Sequence, residues 1–143
     1  IYINIVNLFV KFEHYSQNVS DVLIDHTFIF IIFFLSGIIS KKIVYLLIKD
    51  DFFSNVFLIF YLLYPYLLGH GFYNPKDMPF LFTWLLCTYI NLKICIKIYK
   101  NNSISFLDIF YISLATSFLF SIRISGILIL MQYISTFLIT LSV

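Results

Sequence analysis

Residues 27–47 read TFIFIIFFLSGIISKKIVYLL, an apolar run in which Lys41 and Lys42 are the only charges. A helix that crosses a bilayer needs about 20 predominantly apolar residues, and this run supplies them. Four further runs follow at 53–69, 79–98, 105–122 and 125–143. The pattern predicts an all-α fold, a polytopic transmembrane helix bundle with about five helices in 27–143. A segment over 1–26 precedes it.

Composition leads to the same place. The chain has 143 residues, 62% of them hydrophobic and 11% charged, with a mean hydropathy of +0.99. A soluble domain is about half apolar and about a quarter charged, and a chain this short builds too small a core to hide the difference. Lipid removes the problem. The net charge of +2 is small and dispersed, which excludes nucleic acid as a partner class. Cys87 and Cys95 share one apolar run, without a CxxC or a Cys/His cluster. They read as buried thiols rather than as a disulfide or a zinc site.

The breaks between runs are legible. Lys49, Asp50 and Asp51 separate the first two, and a polar Gly/Pro stretch from Gly69 to Pro79 separates the second and third. Lys97, Lys100, Asn101 and Asn102 precede the fourth. From Ile104 to Val143 the chain stays apolar for a length of about 60 Å as helix, twice a hydrocarbon core. It must turn back, and Arg123 beside Ser125-Gly126 is the natural place. The chain starts at Ile1 and is still apolar at its other end, so it is expected to be an internal fragment of a longer protein.

Six lysines set the orientation: Lys41, Lys42 and Lys49 at the first turn, and Lys93, Lys97 and Lys100 at the third. Alternation puts both turns on one side, which the positive-inside rule makes cytoplasmic. The Gly69–Pro79 loop and Arg123 then face outward, with Lys76 and Arg123 as the cations there. Residues 1–26, apolar at first and then carrying Glu13, His14, Asp21 and Asp25, are expected on that outer side as an external segment, with an amphipathic helix along the interface.

Chemistry concentrates in the outer loop. Between Gly69 and Phe80 it brings together His70, Asn74, Lys76 and Asp77, with Pro75 and Pro79 restricting the backbone. A carboxylate held in such a loop can orient a substrate or a divalent metal, and Asp77 can equally be the N-cap of the next helix. His70 and Asn74 can hydrogen-bond a substrate, and His70 can also be an interfacial ring or a metal ligand. Lys76 can bind phosphate or snorkel toward lipid headgroups. Arg123 reads either as a turn residue or as a functional charge, because a charge near the apolar region is costly and a guanidinium suits phosphate. Asp25-His26 forms a second polar pair on the same side and reads as a cap.

The loop as a whole, Gly69-His70-Gly71-Phe72-Tyr73-Asn74-Pro75-Lys76-Asp77-Met78-Pro79-Phe80, resembles the His-x-Phe-x-Asn-x-Lys-Asp-x-Pro-Phe signature of bacterial family 39-like glycosyltransferases. These are relatives of the protein O-mannosyltransferases and of the aminoarabinose transferase that modifies lipid A. Ala115-Thr116 and Ser121-Ile122-Arg123-Ile124-Ser125-Gly126-Ile127 look like the later Ala-Thr…Arg-Ile-x-Gly segment of that family. The resemblance spans roughly residues 25–130; its loop motif is moderately specific, and its second segment is weak alone.

The resemblance implies a GT-C fold and an inverting membrane glycosyltransferase. Its donor would be a polyprenyl-phosphate sugar, its acceptor a lipid or protein, and its active face the periplasmic side of a bacterial inner membrane. Asp77 and Arg123 would be the catalytic residues, Arg123 contacting the donor phosphate, and His70, Asn74 and Lys76 would help to bind substrate. The divalent metal remains an open possibility. The family's catalytic acid lies in the first external loop, where Glu13 and Asp21 are poor matches. It is therefore expected upstream, and this stretch alone to be inactive. Two rival readings share the composition: a non-catalytic membrane subunit of a larger complex, and a transporter or flippase.

Overall fold

A computed structural model describes the backbone of residues 2–100 and 103–142 and the side chains from Val22 onward. The chain forms α1 (Tyr2–Ile48), α2 (Asp51–Leu63), α3 (Pro65–Tyr73), α4 (Asp77–Tyr99), α5 (Phe106–Ile122), a 3-10 turn (Ile124–Ile127) and α6 (Leu128–Ser142), with no strand among the described residues. Three stretches are long and apolar enough to cross a membrane: Val22–Ile48, Asp77–Tyr99 and Ile124–Ser142. The bent pair α2–α3 makes a fourth if it counts as one span. The chain is an all-helical integral membrane protein. Of the five expected helices, α5 has 17 residues, the lower limit for crossing.

Two expected boundaries move. The run 53–69 is two helices, broken at Tyr64 and bent by 58°. Pro65 explains the break: it has no N–H to continue the ladder and its ring crowds the carbonyl one turn back. The loop expected over Gly69–Pro79 shrinks to Asn74–Lys76, because α3 stays helical through Tyr73 and α4 begins at Asp77. Glycine weakens a helix by about 1 kcal/mol but does not forbid it. At the other end, α1 runs unbroken from Tyr2 to Ile48. The side chains of Glu13, His14 and Asp21, on which an interfacial helix would depend, lie outside the described residues, as do Asn101 and Asn102.

Helix starts are capped as short polar side chains dictate. The Asp50 carboxylate accepts from the N–H groups of Phe52 (2.7 Å) and Phe53 (3.1 Å). Ser105 and Asp108 form a capping box at α5, and Lys97 donates to Asp108 at 2.7 Å. This ties the end of α4 to the start of α5 at the lysine-rich end of the bundle.

α4 is the central helix, packed against α1, α5 and α6. Its buried positions Thr83, Cys87, Asn91 and Cys95 repeat every four residues, a single helical stripe of small and polar side chains that lets neighbours approach. Both cysteines are free and buried. Lipid supplies no hydrophobic drive between helices, so polar contacts across them matter. Thr88 accepts from the Gln132 amide (3.0 Å), and Asn91 donates to Thr136 (2.7 Å). These two bonds advance together along both helices, so α4 and α6 run parallel. Thr116 pairs with Tyr133 (2.9 Å) and Ser36 with Tyr61 (2.8 Å), joining α5 to α6 and α1 to α2.

Such bonds average about 0.6 kcal/mol in a membrane, and Thr136 also donates to the backbone carbonyl of Gln132. Asn91→Ala is therefore expected to lower the unfolding free energy by about 1 kcal/mol or less, read by detergent titration in mixed micelles. A loss several times larger would mean that Asn91 holds more than this one contact.

Candidate functional site

The end of the bundle opposite the lysines is built from the C-terminus of α3, the first turn of α4 and the C-terminus of α5. Arg123 is the residue at which α5 stops; its backbone is extended and its N–H still reaches Leu119 O at 3.2 Å. Gly126 makes the turn after it possible. A Cβ there would lie 2.9 Å from Leu119 Cγ and 3.1 Å from the Leu119 carbonyl oxygen, so the chain folds back directly over the last turn of α5.

From that corner the Arg123 guanidinium donates to Asp77 Oδ1 at 2.5 Å, across 46 positions of sequence. It also lies 6.0 Å from the centre of the Phe80 ring. The side chains are half-exposed, at 50% for Arg123 and 39% for Asp77. An ion pair that open contributes about 1 kcal/mol or less to stability, so the fold does not depend on it.

Asn74 organises the rest. Its Oδ1 accepts from the backbone N–H groups of Lys76 (3.2 Å) and Asp77 (2.9 Å). Its Nδ2 donates to Asp77 Oδ2 (2.6 Å) and lies 3.0 Å from His70 Nδ1. The N-terminus of α4 is thus satisfied by Asn74, three residues upstream, and not by Asp77. The Asp77 carboxylate is left to face Arg123. The Asn-Pro pair at 74–75 is the sequence signal for such a turn. Asn74 is fully engaged within the protein, two donors and two acceptor sites used, and meets a ligand only through the groups it holds.

The His70 ring packs against Tyr66 at a tilt of 54°, with ring centres 4.5 Å apart. Lys76 is exposed and makes no ion pair among the described residues. A cavity of about 260 Å³ is lined by His70, Asp77, Arg123, Tyr66, Phe80 and three further apolar residues. It adjoins a second, of about 380 Å³, through Tyr66 and His70, and a third, of about 400 Å³, through Phe80 and Leu81. The structure therefore brings His70, Asn74, Asp77 and Arg123 together and leaves Lys76 at the rim.

His26, read from sequence as part of a cap, has another place. Its Nδ1 donates to the carbonyl of Phe72, and its ring meets Tyr73 edge-on at 5.7 Å. It pins the end of α3 to α1, a contact no local pattern announces. Among the described residues no three His, Cys, Asp or Glu side chains converge, and both Asp77 oxygens already have donors. This donor set does not fit a resident divalent ion. On the other side of α4 a largely apolar groove of about 540 Å³ runs between α1, α4 and α5.

No protein-family model, curated protein or solved structure matches the chain.

Proposed function

We propose that this chain is part of a GT-C-type membrane glycosyltransferase whose core includes five bilayer-crossing helices, α2–α3 counting as one and α5 as another. In this reading it transfers a sugar from a polyprenyl-phosphate donor to a lipid or protein acceptor. The reaction takes place at the outer face of a bacterial inner membrane, opposite the six lysines. The loop resemblance supports the family. The observation that carries the chemistry is the Arg123–Asp77 pair beside His70, at the mouth of a cavity.

During inverting transfer an acceptor oxygen bonds to the anomeric carbon while the bond from that carbon to the phosphate oxygen breaks. The electron pair stays on the phosphate. Guanidinium is suited to that developing charge because its donors form a rigid fork. Only one N–H of Arg123 is committed to Asp77, and the others remain for phosphate oxygens. Asp77 holds the fork in place, and its carboxylate is positioned to orient a sugar or acceptor hydroxyl. Lys76 at the rim adds an exposed positive charge. The general base that takes the acceptor proton is assigned to none of these residues.

The test is sugar transfer by the full-length protein in membranes, from a panel of radiolabelled polyprenyl-phosphate sugars. Transfer from one donor that falls in Asp77→Asn and collapses in Arg123→Ala, at unchanged expression, supports the reading. Absence of transfer from every donor removes it and favours a subunit or transporter role.

A further inference from the structure

The polar network fixes more than the position of Asp77. Backbone N–H groups can only donate, so the Asn74 atom facing the N–H groups of Lys76 and Asp77 must be the amide oxygen. The atom facing His70 Nδ1 at 3.0 Å is then the amide nitrogen, also a donor. A donor must meet an acceptor, so His70 Nδ1 carries no proton. The imidazole is neutral, with its proton on Nε2. Among the described residues Nε2 has no hydrogen-bond partner, and His70 lines two adjoining cavities.

We propose that Asn74 is a positioning residue that locks His70 as the neutral Nε2–H tautomer and turns the Asp77 carboxylate toward Arg123. The site then meets an anionic ligand oxygen with two donors, the His70 imidazole N–H and the Arg123 guanidinium. This deepens the glycosyltransferase reading and rests on it for the identity of the ligand, whereas the tautomer stands on geometry alone.

The discriminating substitution is Asn74→Asp. Asn and Asp serve a turn of this kind equally well, because either oxygen can accept from Lys76 N–H and Asp77 N–H. An Asn74 that only forms the turn therefore predicts an unmoved proton on His70. A carboxylate, however, cannot donate. It repels Asp77 and draws the His70 proton to Nδ1.

The experiment is ¹⁵N NMR of histidine-labelled full-length protein in lipid nanodiscs, with the His70 signal assigned as the one lost in His70→Gln. The expected result is a protonated Nε2 and an unprotonated Nδ1 in the wild type, with the proton moved to Nδ1 in Asn74→Asp. His26, whose Nδ1 donates to Phe72 O, supplies an Nδ1-protonated ring as an internal contrast. Sugar transfer by Asn74→Asp, measured per folded protein, is expected to fall about 10- to 100-fold, as when an orienting partner is lost from a site. A wild-type His70 protonated on Nδ1, or a tautomer indifferent to Asn74→Asp, overturns the inference. So does wild-type transfer that Asn74→Asp leaves intact. The expected NMR result in a protein that transfers no sugar supports the tautomer and removes the glycosyltransferase reading instead.

Discussion

Arg123→Ala is expected to reduce sugar transfer by about 100- to 1,000-fold, the loss typical when one donor to a developing oxyanion is removed. The fold should survive, because the partly exposed pair contributes about 1 kcal/mol or less. Arg123→Lys separates charge from geometry. An ammonium keeps the positive charge but not the fork that serves Asp77 and phosphate together, so it should recover only part of the loss. Asp77→Asn should fall between wild type and Arg123→Ala, since a neutral amide can still accept from Arg123 but holds it less firmly. The donor phosphate is anionic before reaction as well as during it, so part of each deficit should appear in KM. The measurement is kcat and KM in membranes at matched expression. Transfer indifferent to Arg123→Ala would reduce this residue to a charged turn.

The second large effect concerns two glycines that differ in sign although only one residue separates them. A Cβ on Gly71 would lie 2.9 Å from Cγ and 3.2 Å from Cβ of Phe33. Phe33 is 1% exposed, and the crowded atoms are at the stem of its ring, which cannot swing aside. Gly71→Val is therefore expected to cost about 3 kcal/mol, at the upper end for overpacking a filled site. Because His70 rides on the same short helix and Asn74 follows at its end, it should also depress transfer. A Cβ on Gly69 would meet nothing within 4 Å, so Gly69→Ala should gain up to about 1 kcal/mol from helix propensity. Unfolding in mixed micelles reads both. Equal effects at the two positions would mean that α3 does not sit on α1 through Gly71.

What could be read in advance divides along the range of the forces involved. Apolar run length is local, so the helices at 27–47 and 79–98 were legible from hydropathy. The caps of α2 and α5, Asp50 and Ser105, are local as well, since each side chain serves N–H groups a few residues away. Pro65 was equally visible, yet inside a long apolar run it read as part of one helix, because hydropathy does not register a missing N–H. Conversely, Gly69 and Gly71 suggested a loop where Phe33, far away in sequence, makes a glycine the residue that fits. The site shows the same division. His70, Asn74, Asp77 and Arg123 stood out as polar residues in an apolar chain. That Asn74 rather than Asp77 caps α4 depends on side-chain direction, and that Arg123 meets Asp77 depends on how α4 and α5 pack. The Asn-Pro pair at 74–75 signals the turn but not the direction of the Asn74 side chain, and the Arg123–Asp77 contact has no local signature. The pairing of His26 with Phe72 is also tertiary.

The bend at Tyr64 sets the depth of the site. α2, with 13 residues, rises about 20 Å. α3 has 9 residues and is about 13 Å long, but inclined at 58° it adds only about 7 Å along the axis of α2. The pair reaches about 27 Å, whereas a straight helix of the same residues would reach about 33 Å. Taken as one span that starts at the inner edge of a hydrocarbon layer of about 30 Å, the bent pair would bring Asn74, at its end, to the outer rim rather than into bulk water. A headgroup carried by a membrane lipid lies at that level, and its chain need not leave the bilayer for the headgroup to reach Arg123.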